Sequence, residues 1–191
     1  MRSRIRYAAG KVAPAFAAGS RQAEHMLHIP QRSNAMGDLT KNFSLKEFLV
    51  SSTADQLGIS NQPTDEHLRR ITEVVAPAMQ AIRDSLDCSI VITSAYRSPK
   101  VNKAVRGVPN SDHPQAWAVD CHAAGMSAFG FARLIEAEMK PGGKFAGRID
   151  QLIYEASRGI VHLSFAPRRR AQILTQRLGA GTPFDTGIRA V

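Results

Sequence analysis

The chain has 191 residues, 43% of them hydrophobic, and a formal net charge of +9 at pH 7. That length suits one domain with an arm or tail, and no apolar run approaches the roughly 18 residues of a membrane-spanning helix. Two cysteines, Cys88 and Cys121, are too few for a disulfide framework and lack the paired spacing of a Cys-type zinc site; buried free thiols are the default expectation.

The excess of Lys and Arg favours an anionic partner such as nucleic acid, an acidic membrane surface or bacterial cell wall. Basic residues are spread along the chain rather than gathered with base-reading side chains on one element, so no specific nucleic-acid partner is expected. Through residue 35 the only acidic residue is Glu24, and Ala and Arg dominate. Residues 1–38 are therefore expected to be a basic, flexible arm, with Lys11 and Pro14 interrupting what would otherwise resemble a secretory signal.

Residues 39–167 carry the pattern of a folded domain. Ser44 and Glu47 have the spacing of a capping box, and Leu45, Phe48 and Leu49 form the apolar face of a short helix. Thr64 opens a longer helix to Leu86, with acids in its first turn and a kink expected at Pro77. Residues 89–94, SIVITS, read as a strand that delivers Arg97 at its end. A short helix over 101–105 is followed by a turn-rich loop, 107–114, and by a second strand over 117–122. Residues 126–139 read as a helix closed by Pro141, Gly142 and Gly143. The runs 151–155 and 160–165 read as a hairpin across residues 156–159. Residues 168–191 are expected to be a basic tail suited to approaching an anionic envelope. The order of elements predicts an α+β domain with a small, mainly antiparallel sheet flanked by helices.

His113 in the loop, Asp120 in the second strand and His162 in the last strand are candidate ligands of a catalytic Zn2+, which takes three His or carboxylate donors and keeps one position open. Their wide spacing becomes informative in its surroundings. The segments SAYRSPKVNKAV, GVPNSDHPQAWAVD, QLIYE and IVHLSF occur in this order, and together they resemble the zinc D-Ala-D-Ala carboxypeptidase family, whose members cut bacterial peptidoglycan peptides and include phage endolysins. The resemblance covers roughly residues 40–166.

It implies a hedgehog-type metallopeptidase fold, with His113, Asp120 and His162 as zinc ligands and Arg97 binding the substrate or stabilising its charged intermediate. Arg97 offers an always-charged donor fork suited to either task. Ser111 is expected to bind substrate or orient the ligand loop, with turn capping as its other reading. The implied activity is hydrolysis of a peptide bond in stem peptides or cross-links, as carboxypeptidase or endopeptidase, by a monomer acting on the cell wall from the periplasm, the exterior or a phage. The alternative is a non-catalytic zinc protein of the cell wall or virion.

The chain departs from the family's pattern at three places. Gly159, Ile160 and Val161 precede His162 where some relatives carry a Glu or His as proton shuttle. Glu155 is the substitute: a hairpin closing over 156–159 pairs Glu155 with Ile160 and Ile153 with His162, which puts Glu155 on the face of His162. Its other reading is an ion pair with Arg158, and His122, two residues after Asp120, is a rival base. Ala116 replaces a family Gly, and Arg106 precedes Gly107 where relatives often have paired glycines.

Overall fold

A computed structural model describes residues 38–179 and 181–191; nearly all of the expected arm, 1–37, lies outside the described residues. The described part is an α+β domain around one six-stranded sheet. Among the described residues no helix is long and apolar enough to cross a membrane.

Helix α1 spans Leu45–Leu49 and begins as its residues dictate, with the Ser44 amide donating to Glu47 Oε2 at 2.7 Å. Helix α2, Ser52–Leu57, is short and carries no apolar periodicity by which to anticipate it. The long helix is divided: α3 covers Asp65–Arg70, a π-type segment Ile71–Val75, and α4 Ala76–Leu86. Pro77 has no amide to donate into the preceding turn, and the backbone widens into the π-type segment just ahead of it.

Strand β1 is Ile90–Ser94, α5 is Pro99–Ala104, β2 is Ala118–Ala123 and α6 is Ala128–Met139. Strands β3, Gln151–Glu155, and β4, Ile160–Ser164, form the expected hairpin in the expected register, with Glu155 opposite Ile160 and Ile153 opposite His162. Cys121 is a buried free thiol in β2, whereas Cys88 is half-buried and precedes β1.

Residues 168–191 do not form a tail. They supply β5, Gln172–Gln176, paired parallel to β3, and β6, Phe184–Thr186, paired antiparallel to β5. The sheet order is β1-β2-β4-β3-β5-β6. The turn into β5 places Arg169 and Ala171 at φ 49° and 50°, left-handed values that usually call for Gly or Asn. Without those residues the turn leaves no mark in the sequence.

Alternation along the strands sorts the two faces. Val119, Cys121, Leu152, Val161 and Leu163 turn to one side and join the core with Phe131, Ala132, Ile135 and Met139 of α6. Asp120, Ile153, Glu155, His162, Leu174 and Gln176 turn to the other, where they line a cleft of about 1060 Å³.

The two departures from family glycines have different costs. Ala116 sits at φ 57°, but its methyl is buried in the core, which offsets the strain. Arg106, also at φ 57°, follows the end of α5 and is exposed, so nothing offsets it. The adjacent Gly107 lets Asn102 pack close, because a Cβ there would lie 2.1 Å from Asn102 Oδ1 and push that side chain aside. Arg106→Gly is expected to stabilise the protein by about 1 kcal/mol, read as a rise of a few degrees in thermal unfolding; a fall would contradict the strain argument.

Candidate metal centre

Asp120 on β2 and His162 on β4 are direct cross-strand partners, so their side chains rise side by side from the cleft floor. His113 reaches the same point from a 3-10 turn, His113–Gln115. His113 Nε2 lies 3.1 Å from Asp120 Oδ1 and 3.2 Å from His162 Nδ1, and His162 Nδ1 lies 2.9 Å from Asp120 Oδ1. Tetrahedral zinc with bonds near 2.05 Å separates its donors by about 3.3 Å. The triangle has the size such an ion needs.

Proton accounting points the same way. His113 Nδ1 lies 2.6 Å from the Ala95 carbonyl, which can only accept, so Nδ1 holds the proton and the neutral ring turns a lone pair toward Asp120 and His162. Burial pushes the His113 imidazole below its ordinary pKa, opposed in part by the Asp120 carboxylate. Burial alone would raise the Asp120 carboxyl, but whenever the rings of His113 and His162 take up a second proton their charge and hydrogen bonds hold it well below the usual carboxylate range. With His162 Nδ1 unprotonated as well, electron pairs of all three side chains would meet at one point, which a divalent cation satisfies. Asp120 Oδ2 is also buried without a hydrogen-bond partner.

The loop that carries His113 is held at both ends. The Arg97 amide donates to the His113 carbonyl at 3.4 Å, and the His113 amide donates to Ser111 Oγ at 3.3 Å. Ser111 thus takes its turn-capping role while also lining the cleft. Thr93, at an irregularity in the β1–β2 pairing, donates to the Asp120 carbonyl at 3.0 Å. Bulges of this kind recur beside active sites, where they re-aim a side chain.

Arg97 and Arg158 flank the free oxygen of Asp120, with Arg97 Nη2 at 3.9 Å and Arg158 Nη1 at 3.6 Å from Oδ2. Burial lowers the Arg97 pKa against the pull of Asp120, and Arg97 Nε has no partner. The guanidinium, largely buried, lines the cleft.

Glu155 lines the cleft on the side of His162, and its Oε2 accepts from Arg158 Nη1 at 2.8 Å. The ion pair and the site-facing position, alternatives in the sequence, hold together. His122 is absent from the cleft lining. It follows Asp120 on β2 but sits opposite Val91, on the outer β1 strand.

Several contributors carried no sequence signal. Asn61 donates to the Tyr96 carbonyl at 3.2 Å and accepts from the Ser98 amide at 2.7 Å, which fixes the turn bearing Arg97. Arg158 reads as a surface hairpin residue until the fold brings it against Asp120. Asp112, next to His113, accepts from Ser164 Oγ at 2.7 Å and from Arg168. Arg168 and Arg170 both reach Asp150, Arg170 Nη2 at 2.6 Å. These arginines, expected to face an envelope, clasp the ligand loop to the start of β3.

Asp150 is fully buried. Burial alone would raise its carboxyl, but hydrogen bonds and charge from Arg170, with help from Arg168, hold it below the ordinary carboxylate range. A depressed folded-state pKa gives stability present above the unfolded value near 3.9 and lost as pH falls through the folded one. Asp150→Asn is expected to cost about 1–3 kcal/mol at pH 7 in the zinc-free protein. The gap to the parent should narrow below about pH 4 in thermal unfolding; a gap independent of pH would contradict this.

A family model described as Peptidase M15 matches residues 41–163. No curated protein matches the chain. M15 peptidases are zinc-dependent, in keeping with three donor atoms that lie within 4.8 Å of one another. The match spans well over half of the chain, and all three donors fall inside it: the chain belongs to the peptidase M15 family.

Proposed function

We propose that the protein is a zinc-dependent peptidase that hydrolyses a peptide bond in bacterial peptidoglycan stem peptides or cross-links, with His113, Asp120 and His162 holding the ion. The observation that carries this reading is the convergence of His113 Nε2, Asp120 Oδ1 and His162 Nδ1 at 2.9–3.2 Å in a cleft open to solvent. When bound, zinc supplies a Lewis acid that polarises the scissile carbonyl and makes water acidic enough to attack near neutral pH.

The side chains then divide the remaining work. With Oε2 of Glu155 held by Arg158, Oε1 takes the proton of the attacking water and returns it to the leaving amine. Arg97 directs its Nη donors at the substrate carboxylate or at the oxyanion formed on attack. Ser111 keeps the His113 loop in place. Five arginines, 97, 106, 158, 168 and 170, line the cleft against the carboxylates of Asp112, Asp120 and Glu155, a balance that favours an anionic peptide.

The test is incubation of zinc-loaded protein with purified peptidoglycan and with synthetic stem peptides, products being identified by mass spectrometry. New peptide termini that vanish on chelation and return with zinc support the reading. A zinc-loaded protein that binds peptidoglycan and releases nothing would replace it with the non-catalytic cell-wall protein. A lysis role for a phage or prophage is part of the proposal: delivery to the periplasm of a sensitive bacterium should lyse the cells, and the His113→Ala variant should not.

A further inference from the structure

We infer that β5 and β6, which lie beyond the family-matched segment 41–163, form a long arm of the cleft that binds about four residues of an extended peptide on one side of the scissile bond. The inference rests on the peptidase reading for the position of that bond, and on the sheet for everything else.

The ligands Asp120 and His162 stand on β2 and β4, and the cleft floor continues unequally to either side of them. Toward β1 only one strand remains. In the other direction lie β3, β5 and β6, three strand spacings from His162, or about 14 Å at 4.8 Å each. An extended chain advances about 3.3 Å per residue, so the arm has room for about four residues, against one or two on the β1 side.

The arm is surfaced for a peptide. Ile153 and its cross-strand partner Leu174 line the floor, Gln172 and Gln176 flank Leu174 along β5, and Phe184 stands opposite Gln176. Phe184 is 48% exposed at the far end. The Gln172 side chain accepts from Gln151 at 2.6 Å through Oε1, which leaves its amide hydrogens for a ligand. Apolar and amide side chains lying side by side match an uncharged stretch of peptide, whereas Arg97 and Arg158 stand against Asp120 and Arg168 and Arg170 are engaged by Asp150.

The back of the arm is fixed while its front stays free. Thr175 Oγ1 donates to the Gly187 carbonyl at 2.8 Å and accepts from the Arg189 amide at 2.9 Å, and Ile188 is buried beyond them. Strand β5 is thus anchored by the residues of its other face, so a rigid floor is in place before substrate arrives.

The experiment compares zinc-loaded parent with Leu174→Ser/Phe184→Ser and with Phe184→Ser alone, the latter a change at a half-exposed ring that the fold tolerates. Synthetic peptides share one cleavable bond and differ in length from two to six residues. Binding of the same series is read by fluorescence anisotropy. For the parent, affinity and kcat/KM should rise with length and level off once about four residues lie on one side of the bond. In the double variant the advantage of long over short peptides should fall about tenfold, chiefly through KM, at unchanged zinc content. A parent that handles all lengths alike, or variants that lose equally on all lengths, would overturn the arm. Length-dependent binding without any hydrolysis would leave the arm standing and remove the peptidase reading. Length-independent hydrolysis would do the reverse.

Discussion

Replacing His113 with alanine is expected to leave the purified protein without stoichiometric zinc and to reduce peptide hydrolysis by at least about a thousandfold. Three donors define the site, and its affinity depends on their being held together before the ion arrives. His113 is buried, with its Nδ1 committed to the Ala95 carbonyl and its Nε2 fixed within 3.2 Å of both remaining donors. Without it, Asp120 and His162 remain as a cross-strand pair, too few for a tight site. The substitution also leaves a cavity and an unpaired carbonyl, at a cost of about 2–3 kcal/mol in the zinc-free protein, so circular dichroism must show a folded variant. Metal content by mass spectrometry and product release by chromatography are the readouts. A folded variant that kept one zinc per chain and hydrolysed within about tenfold of the parent would refute the ligand assignment.

Glu155→Gln should separate binding from proton transfer. The amide has nearly the shape of the carboxylate and keeps an oxygen to accept from Arg158, whose Nη1 now lies 2.8 Å from Glu155 Oε2, but it cannot take up a proton at neutral pH. The expected result is a fall in kcat of about 10²–10⁴ with KM and zinc content near parental values. His122→Asn is the companion variant: His122 lies outside the cleft lining and should retain parental kcat. If the losses are reversed between the two variants, His122 is the base. If Glu155→Gln also loses zinc, its role is to organise the site through Arg158 rather than to move a proton.

Much of the centre was legible because its chemistry demands particular residues at particular distances along the chain. His113, Asp120 and His162 are recognisable donors in segments that resemble a known family, and the structure brings them to one point. The hairpin register followed from a four-residue connection, which leaves few ways to pair Glu155 with Ile160. The helix starts at Ser44 and Thr64 followed from side chains that satisfy their own backbone within one turn.

Other features depend on partners far away in sequence. Arg158 meets Asp120 across 38 positions only because β4 lies between β2 and β3. Arg168 meets Asp112 across 56 positions, and before folding it is one more residue in a basic run. The strand β5 was missed because Gln172, Leu174 and Gln176 on its free face do not alternate cleanly with Ile173 and Thr175, and because its turn uses Arg169 and Ala171 in glycine-like conformations.

By itself, the amino-acid order determined what can be decided within a few residues or by side-chain chemistry: the capped helices, the β3–β4 hairpin, the donor set and an α+β class. Tertiary structure alone decided that the basic residues 168–191 supply the last two strands of the sheet, that Arg168 secures the loop of His113, and that the cleft extends past His113, Asp120 and His162 over β5 and β6. The reason is physical: hydrogen-bonded turns and metal donors carry their requirements in local covalent structure, whereas strand order and buried ion pairs are chosen by the free energy of the whole packed sheet.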